Sequence, residues 1–243
     1  LVKAAFELSE KLRHPVLLRS TTRISHTRQP ITYENDIPKN IKTKGIFDRD
    51  IERYVLIPAH GRKQKPRLMS KWKKVMEEEG REPFMAIENP GRKEVIIASG
   101  ISYAHVKEAV EVLGEPDRFT IVRVSLPVPL PYKPILEAAK DAEKVLVVEE
   151  LEPIVEKQVS EILYKNGLSV ELHGKDLVPE NFELDLEKVY MAIKKFIGEE
   201  TVSPWASMEP IVTEPPIPVR PPVLCPGCPH RNTYYIVKVA ANK

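Results

Sequence analysis

Between Glu94 and Gly198 the sequence alternates short apolar runs with stretches of helical periodicity, and few folds accommodate that alternation. Val95-Ile96-Ile97-Ala98, Thr120–Val124 and Val145-Leu146-Val147-Val148 are short, rich in β-branched residues and apolar at every position or nearly so, as expected of strands buried on both faces. Val170 and Leu172 mark a fourth, shorter strand. Between the runs, Val106, Ala109, Val110 and Leu113 share one helical face. Pro134 sits in the first turn of a second helix that runs to about Ala142. Leu151, Val155, Val159 and Ile162 give a third helix that stops before Gly167. Asp185 is placed to cap a fourth, with Leu186, Val189, Ile193 and Phe196 inward and Gly198 just past its end. The pattern predicts an α/β fold of three layers, in which a mostly parallel sheet is covered on both faces by right-handed crossovers.

The flanks are less regular. Residues 1–28 predict a helix with Ala5, Leu8 and Leu12 on one face, a stop at Pro15, and a buried strand at Val16-Leu17-Leu18. One helix and one strand cannot bury themselves, so this stretch is expected to close an α/β domain that begins upstream. Residues 29–89 read as a linker with little periodicity, holding a short amphipathic helix marked by Leu68, Trp72 and Val75 and ending at Gly80. Residues 90–200 are expected to form one complete domain. Nine prolines fall between Pro204 and Pro229, so residues 201–222 read as an extended tether. Residues 223–243 hold Val223-Leu224, a cysteine loop and a helix over Tyr234–Ala241 that looks unfinished. With Leu1 rather than methionine at the start, both ends look cut from something longer.

Composition removes several function classes. The chain carries 37 basic and 35 acidic residues, a balance that gives no general attraction to nucleic acid or to an anionic membrane. The basic run from Arg62 to Lys74 lacks interleaved aromatic residues and is offset by Glu77-Glu78-Glu79, so it reads as a solvated face. No apolar run approaches the length of a membrane helix. Two cysteines do not make a disulfide framework, and a reducing, cytoplasmic setting is expected.

Those two cysteines stand in Cys225-Pro226-Gly227-Cys228-Pro229-His230-Arg231. Their spacing lets both sulfurs reach one metal ion or cluster, yet two thiolates leave a tetrahedral site half built. A dithiol redox pair between a strand and a helix, or two residues of a tight Pro-Gly turn, fit the same spacing. Gly227 allows the turn. His230 and Arg231 fall where a helix begins, so backbone N–H groups and two cationic side chains meet at a corner suited to an anion. Glu149 and Glu150, between a strand and a helix, suit the helix dipole. Gly100 is not followed by a GxGxxG pattern, so a dinucleotide site is not indicated. His26, His60, His105 and His173 are scattered and read as structural or surface residues.

With these residues in place, the chain resembles the large (alpha) subunits of indolepyruvate-type ferredoxin oxidoreductases, in the family of thiamine-diphosphate 2-oxoacid oxidoreductases. Pro15–Arg19 with Thr21–His26 looks like the end of that family's pyrimidine-binding domain. Ala98–Tyr103, Pro127–Pro131, Val148–Pro153 and His173-Gly174-Lys175 look like its transketolase C-terminal-like domain, and Leu224–Arg231 like the opening of its diphosphate-binding domain. The resemblance implies an enzyme that oxidatively decarboxylates an aryl 2-oxoacid to an acyl-CoA and delivers electrons to ferredoxin. It implies thiamine diphosphate, Mg²⁺ and 4Fe–4S clusters as cofactors, and CoA, ferredoxin and a smaller beta subunit as partners. Gly227, His230 and Arg231 would face the cofactor, and Cys225 and Cys228 would be metal ligands. No residue of this chain is expected to be catalytic, since the family's activating glutamate would precede Leu1. The sequence has no Gly-Asp-Ser/Gly…Asn segment for Mg²⁺ and no C-x₂-C-x₂-C-x₃-C run, so this stretch alone would be inactive. Where related oxidoreductases have a CxGCG motif, Pro229-His230 replaces the last glycine and its neighbour. A non-catalytic scaffold that docks partner subunits is the alternative.

Overall fold

The computed structural model describes residues 1–32, 49–208, 218 and 223–242. The chain divides into a unit spanning Leu1–Ser203 and a second spanning Pro204–Lys243. In the first unit α1 (Val2–Leu12), α2 (Thr22–His26), α3 (Ile51–Tyr54) and α4 (Pro58–Glu78) precede the sheet. The order then runs β1 (Met85–Glu88), β2 (Glu94–Ser99), α5 (Ile101–Leu113), β3 (Phe119–Val124), α6 (Tyr132–Ala139), β4 (Lys144–Val148), α7 (Ile154–Lys165), β5 (Glu171–His173) and α8 (Leu186–Phe196).

The five strands lie in the order β1-β3-β2-β4-β5. β2, β3, β4 and β5 are parallel, with Glu94 opposite both Phe119 and Lys144, and Lys144 opposite Glu171. β1 runs antiparallel to β3, with Met85 opposite Val124. Alternate residues of each strand point to opposite faces, and both faces are filled. Val95, Ile97, Val122, Val145 and Val147 pack against Ile135, Ala138, Val155 and Val159 of α6 and α7. α5 and α8 lie together over β2 and β4 on the other face, where Ile96, Ala98 and Leu146 are buried with Val106, Val189 and Ile193. The result is the expected three-layer α/β arrangement.

Local signals set the boundaries. Asp185 accepts a hydrogen bond from the Lys188 N–H at 2.8 Å and starts α8. Gly114 ends α5 at φ 74° and Gly198 follows α8 at the same φ, conformations that cost glycine little. α1 ends at Arg13 with φ 47°, two residues before Pro15.

Four expectations are corrected. Val16-Leu17-Leu18 forms no strand: Leu17 is 95% exposed and the segment has no neighbour to complete a ladder among the described residues. The helix in the supposed linker is not short, because α4 begins at Pro58, holds Pro66 within it and runs for 21 residues. Pro58 at its first position is preset for a helix, and Glu52 of α3 lies within ion-pair distance of Lys63 at 3.6 Å and Arg67 at 3.4 Å. β1 adds a fifth strand from residues read as linker. Leu151 is not on the face of α7 but in the preceding loop, at φ 59°. The remainder of the linker at 33–48, and the tether at 209–217 and 219–222, lie outside the described residues. Among the described residues no helix is long and apolar enough to cross a membrane.

Candidate functional site

The second unit holds all five residues singled out by the motif at the start of α9 (Pro229–Ala241). The Cys228 N–H donates to the Cys225 carbonyl at 3.0 Å, and Gly227 adopts φ 75°. Proline then glycine between the two cysteines, with that hydrogen bond and that φ, is the pattern of a type II turn. A Cβ at residue 227 would meet open space, so the demand for glycine comes from the backbone conformation alone. Cys228 is the N-cap of α9, Pro229 occupies its first position, and the Arg231 N–H donates to the Cys228 carbonyl at 3.1 Å. Both cysteines are free thiols, Cys225 exposed and Cys228 half-buried. His230 and Arg231 are exposed in the first helical turn.

No side chain caps α9 and no acid lies in its first turn, so the positive end of the helix stands beside His230 and Arg231 without a countercharge from its own turn. That donor set suits an anion such as a diphosphate. The two thiols supply two soft ligands at one turn. Among the described residues no group of three or more His, Cys, Asp or Glu is arranged to hold a metal ion, so a cluster here would need ligands from elsewhere. Tyr234, Tyr235, Ile236 and Val237 of α9 are each at least 60% exposed.

In the first unit, the motifs Ala98–Tyr103, Pro127–Pro131, Val148–Pro153 and His173-Gly174-Lys175 lie at or just beyond the carboxyl ends of β2, β3, β4 and β5. β2 connects toward β3 and β4 toward β5, so the connections after β2 and β4 diverge, and in α/β sheets ligands bind at such a divergence. Gly100 turns the chain out of β2 at φ 59° and ψ −132°, a region essentially restricted to glycine. After β4, the buried Glu149 carboxylate accepts the N–H groups of Ile154 at 3.1 Å, Val155 at 2.8 Å and Glu156 at 2.9 Å. This is the capping expected of an acid at that place. Glu150 accepts the Leu184 N–H at 3.0 Å and ties down the segment before α8.

Sequence reasoning did not find what joins these motifs. Glu156 accepts the Lys175 N–H at 3.0 Å, and the Lys175 ammonium donates to the Glu149 carbonyl. A Cβ at Gly174 would lie 2.1 Å from the Glu156 Oε2, so the Glu156 carboxylate can hold this position only beside glycine. Burial pulls the Lys175 ammonium below the usual lysine range, although Glu149 and Glu156 pull it upward. His173 contacts Asp176 at 2.6 Å and Glu171 at 2.9 Å. Burial works against the imidazolium, yet the two carboxylates hold His173 above its ordinary value. These polar groups are engaged with one another, and what they accomplish is to fix two loops. The pairings of Lys175 with Glu156 and Glu149 span 19 and 26 positions, so only the repeated presence of Glu, Gly and Lys at strand ends could have signalled them.

No family model matches the chain. Two solved structures share at most 19% identity with it: a split-gene transketolase in an inactive beta4 tetramer, covering 49% of this chain and 42% of that one, with TM-score 0.39; and 2-oxoglutarate:ferredoxin oxidoreductase from Magnetococcus marinus, covering 58% and 24%, with TM-score 0.42. Curated relatives are much nearer. Indolepyruvate oxidoreductase subunit IorA of Thermococcus kodakarensis is 44% identical over 99% of the chain. The Pyrococcus horikoshii subunit is 42% identical over 99%, and that of Methanothermobacter marburgensis 36% over 98%. The chain covers 38% of each of these relatives' own length. Across nearly its whole length, therefore, the chain is homologous to part of indolepyruvate oxidoreductase subunit IorA.

Proposed function

We propose that the chain is part of the large subunit of an indolepyruvate-type 2-oxoacid ferredoxin oxidoreductase. That enzyme would oxidatively decarboxylate an aryl 2-oxoacid to an acyl-CoA and send electrons through 4Fe–4S clusters to ferredoxin, together with a smaller beta subunit in the cytoplasm. The observation that carries the reading is the 44% identity to subunit IorA over 99% of the chain.

Within that enzyme the sheet is a scaffold: its polar motif residues are spent on fixing the loops after β4 and β5. The chain's contribution to chemistry is the loop before α9. Thiamine diphosphate, when bound, supplies the electron sink for decarboxylation. Gly227 gives the loop its reversal, and His230 and Arg231 with the start of α9 would hold the negative diphosphate, while the Mg²⁺ ligands would come from outside this chain. Cys225 and Cys228 would supply two of a cluster's ligands, the others coming from outside this chain. A purely structural turn is the second reading, favoured by how fully the backbone hydrogen bonds at Cys225 and Cys228 explain the loop.

Titration of thiamine diphosphate into the full-length protein separates the two. His230→Ala is expected to raise the apparent dissociation constant about 10- to 100-fold, the effect of one lost charged hydrogen bond, with little change in Tm. Unchanged affinity leaves the loop structural.

A further inference from the structure

We infer that Cys225 and Cys228 form a reversible disulfide with each other by exchange with small-molecule disulfides such as oxidised glutathione. This modification goes beyond the cofactor role proposed for the loop and does not depend on it. A β-turn brings its first and fourth Cα atoms within about 7 Å, and a disulfide spans Cα atoms about 4.4–6.8 Å apart, so the CPGC turn holds the two residues near bonding range while both are thiols. The turn is fixed by the Cys228 N–H to Cys225 carbonyl bond of 3.0 Å and by Gly227 at φ 75°. Pro226 presets the backbone at the position before it. Much of the entropy of closing the ring is therefore spent before oxidation begins. Access is equally favourable: Cys225 is exposed, so a small disulfide can reach it, and Cys228 is only half-buried behind it.

The Cys225 thiolate attacks one sulfur of the small disulfide and expels the other as a thiolate, leaving a mixed disulfide. Cys228 then attacks the Cys225 Sγ and expels the second small thiolate. Two protein thiols are oxidised to one disulfide, one small disulfide is reduced to two thiols, and the protons from the cysteines pass to the released thiolates. The oxidised pair can no longer ligate a metal, so disulfide and cluster exclude one another at this turn.

The test equilibrates the full-length subunit, stripped of clusters by a chelator, with mixtures of reduced and oxidised glutathione, quenches with acid and weighs the peptide carrying Cys225 and Cys228 by mass spectrometry. The expected product is that peptide less two hydrogens, with an equilibrium constant at least about tenfold larger than for the same protein unfolded in guanidinium chloride. Cys228→Ser should stop at a single glutathione adduct on Cys225, and Gly227→Ala, which cannot hold φ 75° without strain, should lose most of the preference for oxidation. The inference is overturned if the wild type stops at glutathione adducts, if folded and unfolded chains oxidise equally, or if Gly227→Ala leaves the preference intact.

Discussion

Removing the Glu149 carboxylate should be one of the costliest single changes at the carboxyl end of the sheet. The side chain is 4% exposed and accepts the first three N–H groups of α7, and α7 places Val155, Val159, Ile162 and Leu163 in the core. Glu149→Ala removes the carboxylate that caps the start of α7 in place of its N-cap residue, Pro153, a contribution of about 1–2 kcal/mol. It also leaves the Val155 N–H, on a residue 1% exposed, without an acceptor, which adds about 1–3 kcal/mol. A total near 3 kcal/mol corresponds to a fall in Tm of about 6–12 °C for a chain of this size. Glu149→Gln keeps a carbonyl acceptor but loses the charge, and about half that loss is expected. Urea unfolding followed by far-UV circular dichroism measures both, with Glu152→Ala, exposed in the same loop, as a control that should stay within about 0.5 kcal/mol. If Glu149→Ala costs no more than the Glu152→Ala control, the carboxylate does not hold the helix start and the reasoning fails.

Three further outcomes follow from the same geometry. Gly174→Ala should displace the Glu156 carboxylate and cost about 1 kcal/mol, but almost nothing when Glu156 is already alanine; a double-mutant cycle with no coupling would contradict the contact. Because Asp176 and Glu171 raise His173 above 6.5 in the folded state, its contribution to stability is fully present below that value and is lost as pH rises through the raised folded value. Melting curves across that window should show a decline that His173→Gln removes, limited to a fraction of a kcal/mol because the side chains of both carboxylates are at least 55% exposed. Iron and acid-labile sulfide in the assembled full-length enzyme should fall in Cys225→Ser; a full complement of clusters would rule out ligation by this pair.

The strands that were legible are those whose identity is local. β2, β3 and β4 are β-branched runs buried on both faces, and no other placement of Val95–Ala98 or Val145–Val148 satisfies so many apolar residues. β1 escaped because it is four residues long, only Met85 of it is buried, and its pairing partner β3 lies more than thirty positions away. Only the second half of α4 was marked, by the periodicity of Leu68, Trp72 and Val75; its first half escaped because it buries no residue and carries Pro66. Val16–Leu18 misled in the opposite sense, since an apolar run predicts a strand only where something pairs with it. At the site, the CPGC turn was visible because proline, glycine and a following helix are adjacent in sequence. The contact of Glu156 with Gly174 and Lys175 was not, because the fold alone brings those loops together.

The central claim, that this chain belongs to a machine that oxidises aryl 2-oxoacids, is tested most directly by indolepyruvate-dependent reduction of ferredoxin. The measurement uses the full-length subunit assembled with its smaller partner and loaded with clusters. Reduction is expected only when indolepyruvate, CoA and thiamine diphosphate are all present, and it should stop when any one is omitted. A fully loaded assembly that binds thiamine diphosphate but reduces no ferredoxin with any aryl 2-oxoacid would contradict the claim.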